Sequence, residues 1–140
     1  MNDNATAWVD ALRSGGYAQG IGSLKFDGKF CCLGVACDLF MKSEGRGVWD
    51  RRDNERASWF QVLDENGEVT VGDSSDVYLP EEVKEWLGLS NAEGKFTWRE
   101  TIEKEDYHGN DSLIDLNDND SSFEDIANII EQEPEGLFSS

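Results

Sequence analysis

Apolar positions along this chain fall into two rhythms, and each rhythm predicts a different kind of element. Ala5, Trp8, Val9 and Leu12 recur at spacings of three and four, which predicts a first helix with one apolar face. Asn4 or Asp3 suits its cap, and Ser14-Gly15-Gly16 suits its end. The strongest segment is Phe30–Phe40, FCCLGVACDLF, which only Asp38 interrupts with a charge. Read as a helix, it carries Cys32, Leu33, Val35, Ala36, Leu39 and Phe40 on one broad face, with Cys31 and Asp38 nearer its edge. Gly34 inside it costs about 1 kcal/mol against Ala, which is tolerable where another element must come close. Gly45 is a fair stop. Just upstream, Leu24–Phe30 reads as a short hairpin turning at Asp27-Gly28. This makes Phe30–Phe40 the predicted central helix.

Further on, Trp59–Leu63 and Glu68–Val71 flank an Asn66-Gly67 turn signal and predict a second hairpin. Leu79-Pro80-Glu81-Glu82 opens a helix, with Pro80 suited to its first position and the glutamates to its positive end. Val83, Trp86 and Leu87 form its apolar stripe, Gly88 stops it, and Trp86 reads as core. Lys95–Glu103 alternates with a period of two and predicts a strand. Ser112–Leu116 reads as a short helix and Asn117–Asp120 as a loop. Ser122 and Asp125 suit a capping pair for a last helix with Phe123, Ile126, Ala127 and Ile130 inward, ended by Pro134. Leu137 and Phe138 either fold back or form a sticky tail. The fold expected is α+β, a single domain over residues 1–140. Three to four helices pack on a small antiparallel sheet made of the hairpins and the Lys95–Glu103 strand.

Several of these segments carry a resemblance. Trp8, Ala11–Gly15, Tyr17, Gln19-Gly20, Phe30–Val35 and Cys37–Leu39 come first; Leu79–Val83 with Trp86–Leu89 follows, then Leu116–Asp118 and Ser122–Ala127 with Ile130-Glu131. In that order they resemble a family of small bacteriophage proteins. The resemblance implies a phage origin and brings no activity with it. Val48–Val77 and Glu93–Ser112 lie outside it.

A chain of 140 residues supports one modest core. No stretch is long and apolar enough to span a membrane, and the polar start, Met1–Asn4, differs from a signal peptide. Three cysteines, two of them adjacent, fit reduced thiols better than a disulfide framework. The expectation is a cytoplasmic protein, which the phage resemblance makes the cytoplasm of an infected host cell. Net charge sharpens this picture. It is −18, and residues 105–140 hold eleven acidic side chains with no Lys or Arg. Such a field repels nucleic acid and anionic membranes and favours basic partners. It serves solubility equally well. Arg46, Arg51, Arg52 and Arg56 are the one local basic cluster, expected to neutralise part of the acidic C-terminal third within the fold.

Candidate chemistry is sparse. Cys31 or Cys32 at a helix start has the setting of a lowered thiol pKa, and the single His108, with Asn110 or Asn117 as orienter, would complete a Cys–His–Asn set. Free cysteines also act as small buried apolar groups. Three cysteines on one helix lack zinc spacing. Asp115, Asn117 and Asn119 match the first half of a calcium loop, but Asp120 stands where Gly is wanted and Ile126 where the closing Glu is wanted. No metal and no cofactor is therefore expected. Tyr17–Gly22 is Gly-rich without dinucleotide or phosphate-loop spacing. Leu116-Asn117-Asp118 either packs against Phe30–Phe40 and offers polar groups to a pocket or completes a turn. The reading reached is a non-enzymatic phage accessory protein. It binds a basic host protein, for instance a defence or nucleic-acid-handling factor, through Asp118, Asp120, Glu124, Asp125 and Glu131. The alternatives are a binder of a small ligand such as a signalling nucleotide, and a hydrolase using Cys32 and His108.

Overall fold

Local signals set most of the helix boundaries in the computed structural model, which describes residues 1–51, 56–98, 109–119 and 121–139. Helix α1 spans Asp3–Arg13 and is capped by Asn2, one residue before the expected Asp3 or Asn4; the Asn2 side chain accepts from the Ala5 amide at 2.8 Å. Strands β1 (Lys25–Phe26) and β2 (Lys29–Phe30) form the first hairpin. Its turn residues Asp27 and Gly28 both have positive φ, the backbone that a tight hairpin demands. Helix α2 follows at Cys32–Glu44 and ends on left-handed Gly45.

The main sheet is antiparallel and centred on β4 (Ala57–Leu63). Strand β3 (Gly47–Arg51) pairs along one edge of β4. Along the other edge, β1 pairs with its first residues and β5 (Val69–Ser75) with its last. The β4–β5 turn is closed by the Asp64 carboxylate, which accepts from the Asn66 and Glu68 amides, with Gly67 left-handed. Along β4, Ser58, Phe60 and Val62 are buried, the Phe60 ring 6.3 Å from that of Phe40 on α2, while the residues between them are half-exposed. Strand β3 corrects the sequence reading, which saw only a polar, basic stretch there.

Helix α3 (Glu81–Leu87) starts one residue after Pro80, which takes the cap position, and stops at left-handed Gly88. The expected Lys95–Glu103 strand is described over Lys95–Trp98 as β6. It does not join the main sheet: it pairs with β7 (Gly109–Ser112) as a separate two-stranded ribbon. Residues 99–103 lie outside the described residues. Helices α4 (Leu113–Asp118) and α5 (Phe123–Glu131) complete five helices among the described residues, where three to four were expected. Asn117 and Asp118 belong to α4 and not to a loop. Leu137 folds back and is fully buried, its carbonyl accepting from the Ser90 amide, so no sticky tail exists there. The class is α+β.

One hydrophobic core gathers residues from Trp8 to Leu137 around α2. Cys32 through Asp38 are all buried, so the first two turns of α2 are enclosed on nearly every side and not along one face. A Cβ at Gly34 would overlap the Leu24 carbonyl oxygen, which is why the helix tolerates a glycine there. No described helix is long and apolar enough to cross a membrane.

Candidate functional site

The thiols come first, because they define one of the two candidate chemistries. Cys31 is the N-cap of α2, and its sulfur accepts from the Gly34 amide at 3.4 Å. Burial pushes its thiol up to about 11, against the backbone hydrogen bonds that favour the thiolate. Cys32 is fully enclosed, and burial raises its thiol well above the ordinary range; its Sγ–H donates to the Leu113 carbonyl at 3.6 Å. Desolvation thus outweighs the helix-start effect that made these cysteines candidate nucleophiles. His108 and Asn110 do not add to the picture: His108 lies outside the described residues, as does the Asn110 side chain.

Asn117 explains why the start of α2 is closed. It is 1% exposed and sits on α4 against the first turn of α2. Its Oδ1 accepts from the Cys32 amide at 3.2 Å and from Gln19 Nε2 at 2.9 Å. Its Nδ2 donates to the Gly20 carbonyl at 2.8 Å and to Asp118 Oδ1 at 3.4 Å. All four hydrogen-bonding capacities of the amide are used inside the protein. Gln19 also donates to the Ser121 carbonyl at 2.7 Å. The Gly-rich loop is pinned by the same knot: the Gly20 amide donates to the Phe30 carbonyl and the Gly22 amide to Asp118 Oδ1. These two amides already have acceptors within the protein.

The half-calcium motif is also accounted for by α4. Asn117 faces inward, and Asn119 Nδ2 donates to the Asp115 carbonyl at 2.7 Å. Among the described residues no group of three His, Cys, Asp or Glu side chains converges on a metal-sized space.

The acidic candidates are placed as follows. Asp118 is exposed at the end of α4, Glu124 and Asp125 in the first turn of α5, and Glu131 at its last turn. The two first-turn carboxylates suit the positive helix end. Ser122 caps α5, accepting from the Asp125 amide at 3.1 Å. Asp120 lies outside the described residues. The cation that meets this group is Arg13 of α1, 2.5 Å from Glu131 and 3.9 Å from Glu124, which also donates to Asn128 Oδ1 at 2.6 Å. The expected role of the basic cluster is therefore corrected for its described members. Arg46 pairs with Glu82 of α3, and Arg56 lies 3.6 Å from Asp27 of the first hairpin. Arg52 and the Arg51 side chain lie outside the described residues.

A second constellation went unread in the sequence. Asp38 is 6% exposed on α2. Its Oδ2 accepts from the Tyr17 hydroxyl at 2.6 Å and lies 3.0 Å from Lys42 Nζ, and its Oδ1 accepts from the Trp49 indole at 3.1 Å. Burial pushes this carboxyl up, but the hydrogen bonds from Tyr17, Lys42 and Trp49 and the Lys42 charge outweigh it, leaving Asp38 below the ordinary carboxylate range. Tyr17 is shifted the other way, upward, by burial and by its bond to Asp38. From these two rings runs a row of edge-to-face contacts: Tyr17–Phe30 at 5.1 Å, Phe30–Trp49 at 5.9 Å, Trp49–Phe60 at 4.9 Å, Phe60–Phe40 at 6.3 Å and Phe40–Trp86 at 5.6 Å. Trp86, read as core, packs half-buried at the end of this row. The one signal that pointed here was a lone charge, Asp38, in an otherwise apolar helix.

No curated protein matches this chain, and no solved structure matches it. The stretch from α1 through α5, which carries the Asn117 knot, the Asp38 cluster and the acidic helix alike, matches one family over residues 1–134. The chain belongs to that family, described as a domain of unknown function (DUF8296).

Proposed function

We propose that this protein is a non-enzymatic bacteriophage accessory protein that binds a basic host protein in the cytoplasm of the infected cell and inhibits it. A defence factor or a nucleic-acid-handling protein has the required surface chemistry. One observation carries the reading. Residues 105–140 hold no Lys or Arg, and among the described residues Arg13 is the one cation paired with the exposed acids Asp118, Glu124, Asp125 and Glu131. That leaves a negative face of α4 and α5 largely unneutralised, which raises encounter rates with a positive surface and discriminates against negative ones. The sealed thiols favour binding over cysteine chemistry. The phage origin rests on the resemblance of the segments from Trp8 to Glu131.

The test is affinity capture from host lysate at about 0.05 M and about 1 M salt, where screening lengths differ several-fold. A triple neutralisation, Glu124→Gln with Asp125→Asn and Glu131→Gln, runs beside the native chain, with circular dichroism to check folding. The expected result is a basic protein retained at low salt, released at high salt and lost by the triple variant. Equal retention at both salts, or equal capture by the triple variant, sinks the proposal.

A further inference from the structure

The row of rings beside Asp38 already holds cations. Lys25 Nζ lies 5.2 Å from the Phe30 ring centre and 5.4 Å from that of Trp49. Lys42 Nζ lies 5.4 Å from the Tyr17 ring centre, and the Arg46 guanidinium 5.7 Å from that of Phe40. Lys42 and Arg46 each have a carboxylate, Asp38 and Glu82. Lys25 has none among the described residues: its ammonium rests on aromatic faces, in a chain with 30 acidic side chains available. Aromatic faces attract cations through their quadrupole, most strongly where water is excluded. Trp49 is fixed in advance, because Asp38 accepts from its indole and from the Tyr17 hydroxyl at once, and Phe30 packs edge-to-face with both of those rings. Lys25, by contrast, stands on a two-residue strand next to an exposed turn, so little structure must move to withdraw it.

We infer that Phe30 and Trp49 form a seat for an ammonium or guanidinium group, and that Lys25 fills it in the free protein as a stand-in for a side chain of the basic partner. The inference rests on the proposed binding of a basic protein and adds a place, far in sequence from the acidic helix, where that partner sets a cation. The strong negative field of the chain excludes the competing reading of an anion held by Lys25 and Lys42, since Lys42 is already neutralised by Asp38.

Tetramethylammonium chloride is the probe, because it makes ring contacts and no hydrogen bonds. Its binding is followed on the Trp49 indole N–H by NMR in 15N-labelled protein, with sodium chloride at equal ionic strength as the control. Lys25→Ala is expected to bind the probe about five-fold tighter than the native chain, the size of one cation–ring contact. Lys25→Arg refills the seat and is expected to match the native chain. Phe30→Leu in the Lys25→Ala background is expected to remove the gain. Equal affinity of Lys25→Ala and the native chain, or an equal response to sodium chloride, overturns the inference. The two readings fail separately. The triple neutralisation of α5 leaves the tetramethylammonium response in place if the seat is real, whatever happens to capture of the host protein.

Discussion

Two turns of helix α2, the first and the one that carries Asp38, solve the same problem in different ways. Each holds a buried polar side chain in an apolar core. At the first turn, Asn117 spends its whole amide on partners held within the fold: the Cys32 amide, the Gly20 carbonyl, Gln19 and Asp118. At the later turn, Asp38 is satisfied by three side chains, Tyr17, Trp49 and the exposed Lys42. Two of the Asn117 partners, the Cys32 amide and the Gly20 carbonyl, are backbone groups that cannot rotate away, so the first arrangement locks a chain path. Of the three around Asp38, Lys42 alone is largely exposed and able to swing away, while Tyr17 and Trp49 are half-buried and held by the one carboxylate. The difference leaves the first turn fixed by backbone and the second open to solvent through Lys42.

Substitutions sharpen that contrast, and the largest effect belongs to the locked turn. Gly34→Ala drives a methyl group into the Leu24 carbonyl, a backbone atom on the adjoining hairpin that cannot turn aside. The expected cost is about 3 kcal/mol or more by overpacking, read as a large drop in the urea midpoint or as failure to fold. Asn117→Ala is next. It leaves the Cys32 amide and the Gly20 carbonyl without their partner inside the protein, at roughly 2 kcal/mol by equilibrium unfolding. A loss under about 0.5 kcal/mol would mean that water refills the knot, and the distinction between the two turns would fail.

Asp38→Asn tests the second turn. At neutral pH the expected loss is about 1 kcal/mol, held down because Lys42 is largely solvated. Its pH dependence is the sharper reading. The folded carboxyl sits below the unfolded value of about 3.9, so its contribution is complete above that value and disappears as pH falls through the lower folded one. The gap between native chain and Asp38→Asn is therefore widest near pH 7 and closes in acid. A gap that stays constant down to about pH 2 would show that Asp38 acts by shape and not by charge.

Legibility in the sequence follows the range of the interactions. Helix caps, the Asp27-Gly28 turn and the glycine stops at Gly45 and Gly88 are written within a few residues, and they read correctly to within a residue or two. Strand β3 did not, because its pairing with β4 is non-local and an edge strand carries polar residues such as Asp50 and Arg51 that mask the alternation. Strand β7, Gly109–Ser112, has no apolar residue at all, so nothing announced that Lys95–Trp98 would pair with it. The Asp38 cluster assembles Tyr17, Asp38 and Trp49 from three separate elements, and no spacing in the chain encodes that meeting.

Arg13 gives the smallest stability effect and the most direct test of the proposed binding. Its partners Glu124 and Glu131 are exposed, and it lies in solvent where ion pairs contribute little to folding. Arg13→Ala is therefore expected to leave the unfolding midpoint unchanged within error. The same change removes the cation that faces the acidic side of α5, so the local field becomes more negative. A basic partner that docks there should be captured more strongly at low salt, with the gain erased at high salt. Two sites on α5 that are now held by Arg13 would become available to the partner's own cations, which is the route by which a substitution without structural consequence changes binding. Weaker capture by Arg13→Ala would instead place Arg13 inside the interface, and the acidic helix would then lose its standing as a face that works by charge alone.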